Sequence, residues 1–450
     1  METDKPLHKG WYVALAVIGA LCALTIAFGL MLVFTNGHPE AVFGGKAKEP
    51  KSFAESSKLA GATETIDVNG IIHGTTEAGV RYDIRGRGEP SDEPGRVSFA
   101  AVGDVLATDM NFGILDAYGG VEGDGVYSFE PYYQEMGPVL AGFDISLINQ
   151  ETAMAGDQDG FAYSGYPSFN TPDASLDAIG GAGLDVVNFN SNHTWDMGEE
   201  GMLRSHAVFD RFPQILRIGS YESKADRSTV HMVSRGGVNI AFLSFCYGTN
   251  TFGDDPASHP NDYSSCIIDK KAIAADVRRA QAVADAVVVY MHWGTEEMVD
   301  PDEVQLEYAQ YLADLGVDLV VGSHAHLCQT VRYYTGQGGK RVPVVFGLSD
   351  FISGWTLTDT IFSGLFTCDF VVQEQGVAVE NLQWHPLIEW SDGGDVYVRM
   401  LELMSDDAIQ ENTRTEDVAD DVAYLQGLLD SLDMECAVTW PVNRDAHRPA

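Results

Sequence analysis

The 450-residue chain is short of positive charge. Lys and Arg number 27 against 66 Asp and Glu, a formal net charge of -39 at pH 7. Nucleic acid is excluded as a partner on this ground, because neutralising its phosphates takes clustered Lys and Arg. A field of this sign concentrates cations instead. Cysteine is also scarce: there are 6, and no C-x-x-C pair occurs. With Cys22 inside an apolar run, an odd number remains for complete pairing. Cys246 and Cys266 flank a polar loop, and either a disulfide or two free buried thiols fits them. No internal repeat is present.

One long stretch lacks charge altogether. Trp11 to Phe34, WYVALAVIGALCALTIAFGLMLVF, exceeds the roughly 20 residues that cross a bilayer. Trp11 and Tyr12 suit the interface at its start. No A-x-A cleavage pattern follows, and no small residue precedes Cys22 as a lipid-anchor site requires. The expectation is one uncleaved N-terminal transmembrane helix in a single-pass cell-membrane protein. Residues 1–10 would be a short cytoplasmic tail, 11–34 the anchor, and the remainder extracellular. Lys5 and Lys9 on one side against Lys46, Lys48 and Lys51 on the other leave orientation to the commoner plan, a short inner tail and a long translocated domain. Residues 35–95 read as a stalk or linker with one hairpin around Ile71 to Tyr82.

From Val97 apolar runs recur at 97–102, 143–148, 184–189, 214–219, 238–246, 285–291, 317–321 and 342–347. Helical patterns fall between several of them, at 132–141, 174–182, 198–211, 269–284 and 302–315. Strands alternating with helices indicate an α/β fold with a largely buried sheet. After Leu365 short strands without intervening helices suit antiparallel pairing. A final helix starting at Thr415 carries Val418, Val422, Leu425, Leu429 and Leu432 on one face.

The polar residues at the strand ends carry the chemistry. Successive runs end in Gly103-Asp104, in Asn149-Gln150-Glu151, in Asn190-Ser191-Asn192-His193-Thr194-Trp195-Asp196, in His292-Trp293-Gly294, and in Gly322-Ser323-His324-Ala325-His326. Ligands of open α/β sheets bind beyond the carboxyl ends of the strands. Side chains two apart on an extended backbone point the same way, so His324 and His326 face one site if the strand continues to them. Each motif alone is an ordinary turn or polar loop; together they deliver carboxylate, amide and imidazole to one edge. Without thiolate, that donor set suits Mn, Fe or Zn in a functional rather than a structural site. A carboxylate bridging two ions, flanked by histidines, is a two-metal arrangement for hydrolysis.

The order Gly103-Asp104, Asn149-Gln150-Glu151, Asn192-His193-x-x-Asp196, His292-Trp293-Gly294-x-Glu296, Gly322-x-His324-x-His326 resembles the CapA family. That family is associated with poly-γ-glutamate capsule synthesis and a calcineurin-like metallophosphatase fold. The resemblance covers residues 97 to 390. It implies a four-layer αββα sandwich over 96–400, with 401–450 left as an acidic C-terminal extension. It further implies that Glu151 bridges two divalent ions, that Asp104 and His326 hold one, and that Asn192, His292 and His324 hold the other. His193, steadied by Asp196, would be the general acid.

Two departures stand out. The resemblance implies a histidine two residues after the first Asp, where this chain has Leu106. The family's S-L-G-N-F stretch reads Gly347-Leu348-Ser349-Asp350-Phe351, with a charge in place of an amide that could add a ligand or accept from a histidine. Two function classes therefore fit. One is a metal-dependent hydrolase acting on a phosphoester or amide of a cell-envelope polymer. The other is a non-catalytic subunit of a capsule synthesis or export complex that binds polymer or partner proteins.

Overall fold

Side-chain parity along the strands decides how the layers stack. The computed structural model describes residues 57–86, 88–93, 95–355, 360–391, 393–413 and 421–440. Its strands are β1 (Thr63–Ile66), β2 (Ile72–Thr75), β3 (Arg81–Arg85), β4 (Arg96–Leu106), β5 (Ile145–Gln150) and β6 (Val186–Asn188). They continue with β7 (Leu216–Ile218), β8 (Val230–Arg235), β9 (Val238–Cys246), β10 (Ala286–His292), β11 (Leu319–Ser323) and β12 (Val331–Thr335). The last are β13 (Arg341–Val345), β14 (Asp350–Ser353), β15 (Phe362–Gln373), β16 (Gly376–Ser391), β17 (Val396–Met400) and β18 (Ala437–Val438).

One sheet runs β1-β2-β3-β8-β9-β10-β11-β13-β12; the other runs β17-β16-β15-β4-β5-β6-β7, with β14 on β4 and β18 on β16. Alternate residues of β4 take opposite sides: Val97, Phe99 and Ala101 join one buried cluster, Ala100 and Val102 another. The first cluster also takes Val288 and Tyr290 of β10 and Leu319 and Val321 of β11, so it lies between the two sheets. Leu115, Leu140, Ile179 and Phe209, all from helices or their borders, cover the far side of the β4 sheet. Ile273, Val277, Ala309 and Leu312 cover the far side of the β10 sheet. The layers are helix, sheet, sheet, helix, held by apolar burial worth about 25 cal/mol per Å².

Local signals explain the elements. The helix Glu303–Leu315 opens on a reciprocal cap between Asp302 and Gln305 and closes on Gly316 at φ 78°. The expected helix over 132–141 is two short ones, Glu130–Tyr133 and Met136–Leu140. Pro138 has no N–H to give the Gln134 carbonyl, which breaks the ladder there.

Two segment boundaries need correction. Within the stretch assigned to a stalk, residues 63–85 form three strands that extend a sheet, with β3 parallel to β8. β2 and β3 are the hairpin expected there, whereas β1 carries little hydrophobic signal because it is exposed on both faces. The C-terminal stretch is likewise no loose extension: Leu429, Leu432 and Trp440 bury in the inter-sheet cluster. Its helix spans Asp421–Ser431, and the expected start at Thr415 lies outside the described residues. The apolar run 11–34 also lies outside them. Among the described residues no helix is long and apolar enough to cross a membrane. Cys246 and Cys266 are both free and buried.

Candidate metal centre

Parallel strands β4, β5, β10 and β11 end together, and their ends build the site. β4 bulges between Ala101 and Asp104. A Cβ on Gly103 would stand 1.8 Å from the Ser349 carbonyl oxygen. Only glycine therefore lets Asp104 N donate to that oxygen at 3.0 Å. Glu151 follows β5, and His292 ends β10. β11 stops at Ser323, so the extended geometry expected for the two histidines does not continue. His324 and His326 instead adopt φ 97° and 55°. Left-handed backbone costs a non-glycine residue about 1–3 kcal/mol and persists only where surroundings enforce it. Here Asp104 Oδ2 accepts from His324 N at 3.3 Å, and Ser349 Oγ donates to the His326 carbonyl at 2.9 Å. The turn still brings the two imidazoles to 5.9 Å between ring centres.

Donor atoms of Glu151, His324 and His326 lie within 4.8 Å of one another, as do those of Asp104, Glu151, His326 and Asp350. His292 Nε2 is 2.8 Å from Asn192 Oδ1 and 3.4 Å from Glu151 Oε1. The six residues expected as ligands, Asp104, Glu151, Asn192, His292, His324 and His326, are thus gathered in one place. All are buried. Both Glu151 oxygens, His324 Nδ1 and Asp350 Oδ2 are enclosed without a hydrogen-bond partner. Buried polar atoms are ordinarily paired, and a carboxylate with two orphaned oxygens among imidazoles is the pattern a cation satisfies. The residues fit a divalent ion.

The electrostatics agree with that donor set at His292 and His324. Burial, reinforced by the Glu151 charge, pushes the Asp104 carboxyl up to about 7. Burial pushes Asp350 up to about 7 against the pull of His326. Burial and neighbouring imidazoles hold His292 and His324 well below the usual histidine range, as neutral rings. Metal ligation requires neutral imidazole. His326 goes the other way: burial opposes its charge, but Asp350, Glu151 and Asp104 outweigh it.

His193 stands beside the cluster. Its Nδ1 is 2.6 Å from Asp196 Oδ2, which also accepts from Phe169 N at 2.8 Å. The Phe169 ring meets the imidazole edge-on at 4.6 Å. Asn250 Nδ2 lies 3.3 Å from the same Nδ1, and Asn250 N donates to the Asn192 carbonyl at 2.8 Å.

The structure adds several residues to the site beyond the six expected ligands. Asp350 pairs with Asp104 across β14 and β4. Ser323 Oγ is 3.0 Å from His292 Nδ1 and orients the ring. Behind Asp104 a buried relay runs from Ser244 Oγ to Asn188 Oδ1 at 2.6 Å, from Asn188 Nδ2 to Asn149 Oδ1 at 2.6 Å, and from Asn149 Nδ2 to Asp104 Oδ1 at 2.8 Å. Parity was the available signal. Asn149, Asn188 and Ser244 each continue the inward-facing alternation of an otherwise apolar strand.

The model of the bacterial capsule synthesis protein PGA_cap matches residues 98–355, more than half of the chain. The chain belongs to that family. Among PGA_cap relatives, the PGA biosynthesis protein CapA of Bacillus subtilis (strain 168) is 25% identical over 265 residues, which are 58% of this chain and 65% of that protein. The capsule biosynthesis protein CapA of Bacillus anthracis is 27% identical over 190 residues, 41% of this chain and 44% of the relative. The matches thus span less than two thirds of either relative's length. A solved structure of a candidate 5′-nucleotidase from Staphylococcus aureus, in complex with alpha-ketoglutarate, overlaps 75% of this chain and 59% of its own. Its TM-score is 0.41 at 14% identity.

Proposed function

We propose that this PGA_cap protein is a metal-dependent hydrolase of the metallophosphatase type, acting on a phosphoester or amide of a poly-γ-glutamate-like capsule polymer. The observation that carries the reading is Glu151, fully buried with both oxygens unpaired among Asp104, His292, His324 and His326. Glu151 would bridge two ions (Mn, Fe or Zn). Asp104 and His326 would hold one; Asn192, His292 and His324 would hold the other. When bound, such ions polarise the scissile group and activate water. His193 holds a proton at the leaving-group side, with Asp196 fixing its ring, in the manner of a general acid. Residues 11–34 would anchor the protein in the cell membrane with the hydrolase domain outside, which suits a substrate in the envelope.

Leu106 favours a second reading. It places an alkyl group where the family resemblance implies a histidine ligand, and an under-liganded centre suits a subunit that binds polymer or partner proteins through cations. The chain's charge of -39 opposes a polyglutamate ligand unless divalent ions bridge the two. The deciding experiment loads full-length protein with Mn²⁺ and offers bis(p-nitrophenyl) phosphate and a short γ-glutamyl peptide, with and without EDTA. Turnover that EDTA stops supports the hydrolase. Cation-dependent binding of the peptide without turnover selects the subunit, and binding that survives complete chelation contradicts both.

A further inference from the structure

Leu106 brings no donor to the Asp104 half of the centre, yet that half is not short of donors. Leu106 follows Asp104 by two on β4 and shares its face. Asp350 lies beside Asp104 on the neighbouring strand β14, fully buried. Its Oδ1 is 2.8 Å from His326 Nδ1. The same separation recurs in the other half, between His292 Nε2 and Asn192 Oδ1. Two donors each about 2.1 Å from one ion stand about 3 Å apart when they meet it at right angles. Both pairs therefore have the spacing of ligands that share an ion.

A role confined to orienting His326 leaves one oxygen unexplained. A carboxylate that only accepts from the imidazole needs Oδ1 alone. Asp350 Oδ2 would then remain enclosed without a partner, in a cluster that already holds Asp104 and the two orphaned oxygens of Glu151. Burying carboxylate charge without compensation is costly. A cation among them satisfies all of these atoms.

We infer that Asp350 is itself a metal ligand, replacing the donor that Leu106 lacks and making this half of the centre oxygen-rich. The inference rests on the metal-centre reading above. Three carboxylates with one imidazole suit Mn²⁺ or Mg²⁺, whereas the amide and two imidazoles of the other half suit Zn²⁺ or Fe²⁺. One family member would thus carry two ions of unlike preference, set by a single amide-to-carboxylate change.

The test is competitive Mn²⁺ and Zn²⁺ binding to full-length protein and to Asp350→Asn and Asp350→Glu, with thermal melts of the metal-free forms to establish folding. Asp350→Asn, isosteric with the native residue, is expected to lose Mn²⁺ affinity at one site by about tenfold or more. Its Zn²⁺ affinity should change less than about threefold. Asp350→Glu keeps the carboxylate and should keep the native order of preference. Equal loss of both metals in Asp350→Asn would make the residue a partner of His326 Nδ1 only and overturn the inference. So would unchanged Mn²⁺ binding in that variant, or, should it fail to fold, a Zn²⁺-shifted preference in Asp350→Glu. Absence of any divalent ion from the unmutated protein would instead remove the metal-centre reading, and this inference with it.

Discussion

Asn188 donates from its side-chain amide to Asn149 Oδ1 at 2.6 Å, in the layer between the two sheets. Both residues are fully buried. The bond joins Ser244 to Asp104 through three successive hydrogen bonds and so couples the sheet interior to the candidate metal centre. Asn188→Leu should remove it, leaving Asn149 Oδ1 and Ser244 Oγ enclosed without that partner. The expected cost is about 1–3 kcal/mol in urea unfolding of the metal-free protein. Metal affinity should also fall, by about 10–100-fold, since the relay orients a ligand. Unchanged unfolding and unchanged metal affinity would show that the relay holds nothing in place.

His193 tests the separation of roles around the centre. It touches Asp196 and the Phe169 ring rather than lying in either group of clustered donor atoms. His193→Ala should therefore lower turnover by about 10²–10⁴ while leaving bound metal unchanged. Asp196→Asn keeps an oxygen for Phe169 N but loses the charge that holds the imidazole, and should lower turnover with bound metal unchanged. Metal analysis alongside kinetics checks both, and loss of metal from His193→Ala would place it among the ligands.

Much of this was legible in the residues, and the failures have physical causes. The alternation of strands and helices stands because β10 and β11 are buried on both faces and read as unbroken apolar runs. The strand ends of β4, β5, β10 and β11 were legible for the same reason: polar residues appear where apolar runs stop. The mode of convergence of His324 and His326 was not. A period of two suggested an extended strand, whereas two left-handed residues make the turn. Such a conformation is imposed by tertiary contacts, here from Asp104 and Ser349, that no local pattern carries. The hairpin of β2 and β3 was legible around Ile71 to Tyr82, but the edge strand β1 was missed because it lacks an apolar face to betray it. Asn188 and Ser244 were missed because isolated polar residues inside apolar strands look like tolerated exceptions until their partners are seen.

Another buried histidine, outside both groups of clustered donors, gives a separate pH test. His231 sits between Asp83, with Nδ1 to Oδ2 at 3.5 Å, and Asp226, with Nε2 to Oδ1 at 3.3 Å, under the stacked ring of Tyr221. Burial opposes its charge, but the two carboxylates outweigh burial and raise its pKa. Burial likewise opposes the Asp226 charge, and His231 draws that carboxyl down to about 2. A raised histidine stabilises fully below its unfolded pKa of about 6.5 and loses that contribution as pH climbs through its folded value. A depressed aspartate stabilises above about 3.9 and loses its contribution as pH falls toward 2. The melting-temperature difference between native protein and His231→Gln should thus be greatest between about pH 4 and 6.5 and narrow on either side. A difference that does not vary with pH would mean that packing, not charge, holds this histidine.

The most direct measurement is the metal content of purified, Mn²⁺-reconstituted full-length protein compared with Glu151→Gln. Among the described residues Glu151 is the one carboxylate whose donor atom belongs to both groups of clustered ligands, and it lies 3.4 Å from His292 Nε2. Replacing it keeps the size of the side chain and removes the charge at the point the two halves share. The metal-centre reading predicts two ions per native chain and at least a tenfold loss of affinity for both in the variant, on the order seen for disrupted metal sites. Glu151→Gln holding its full complement at native affinity, or a native chain that binds no divalent ion, would contradict it.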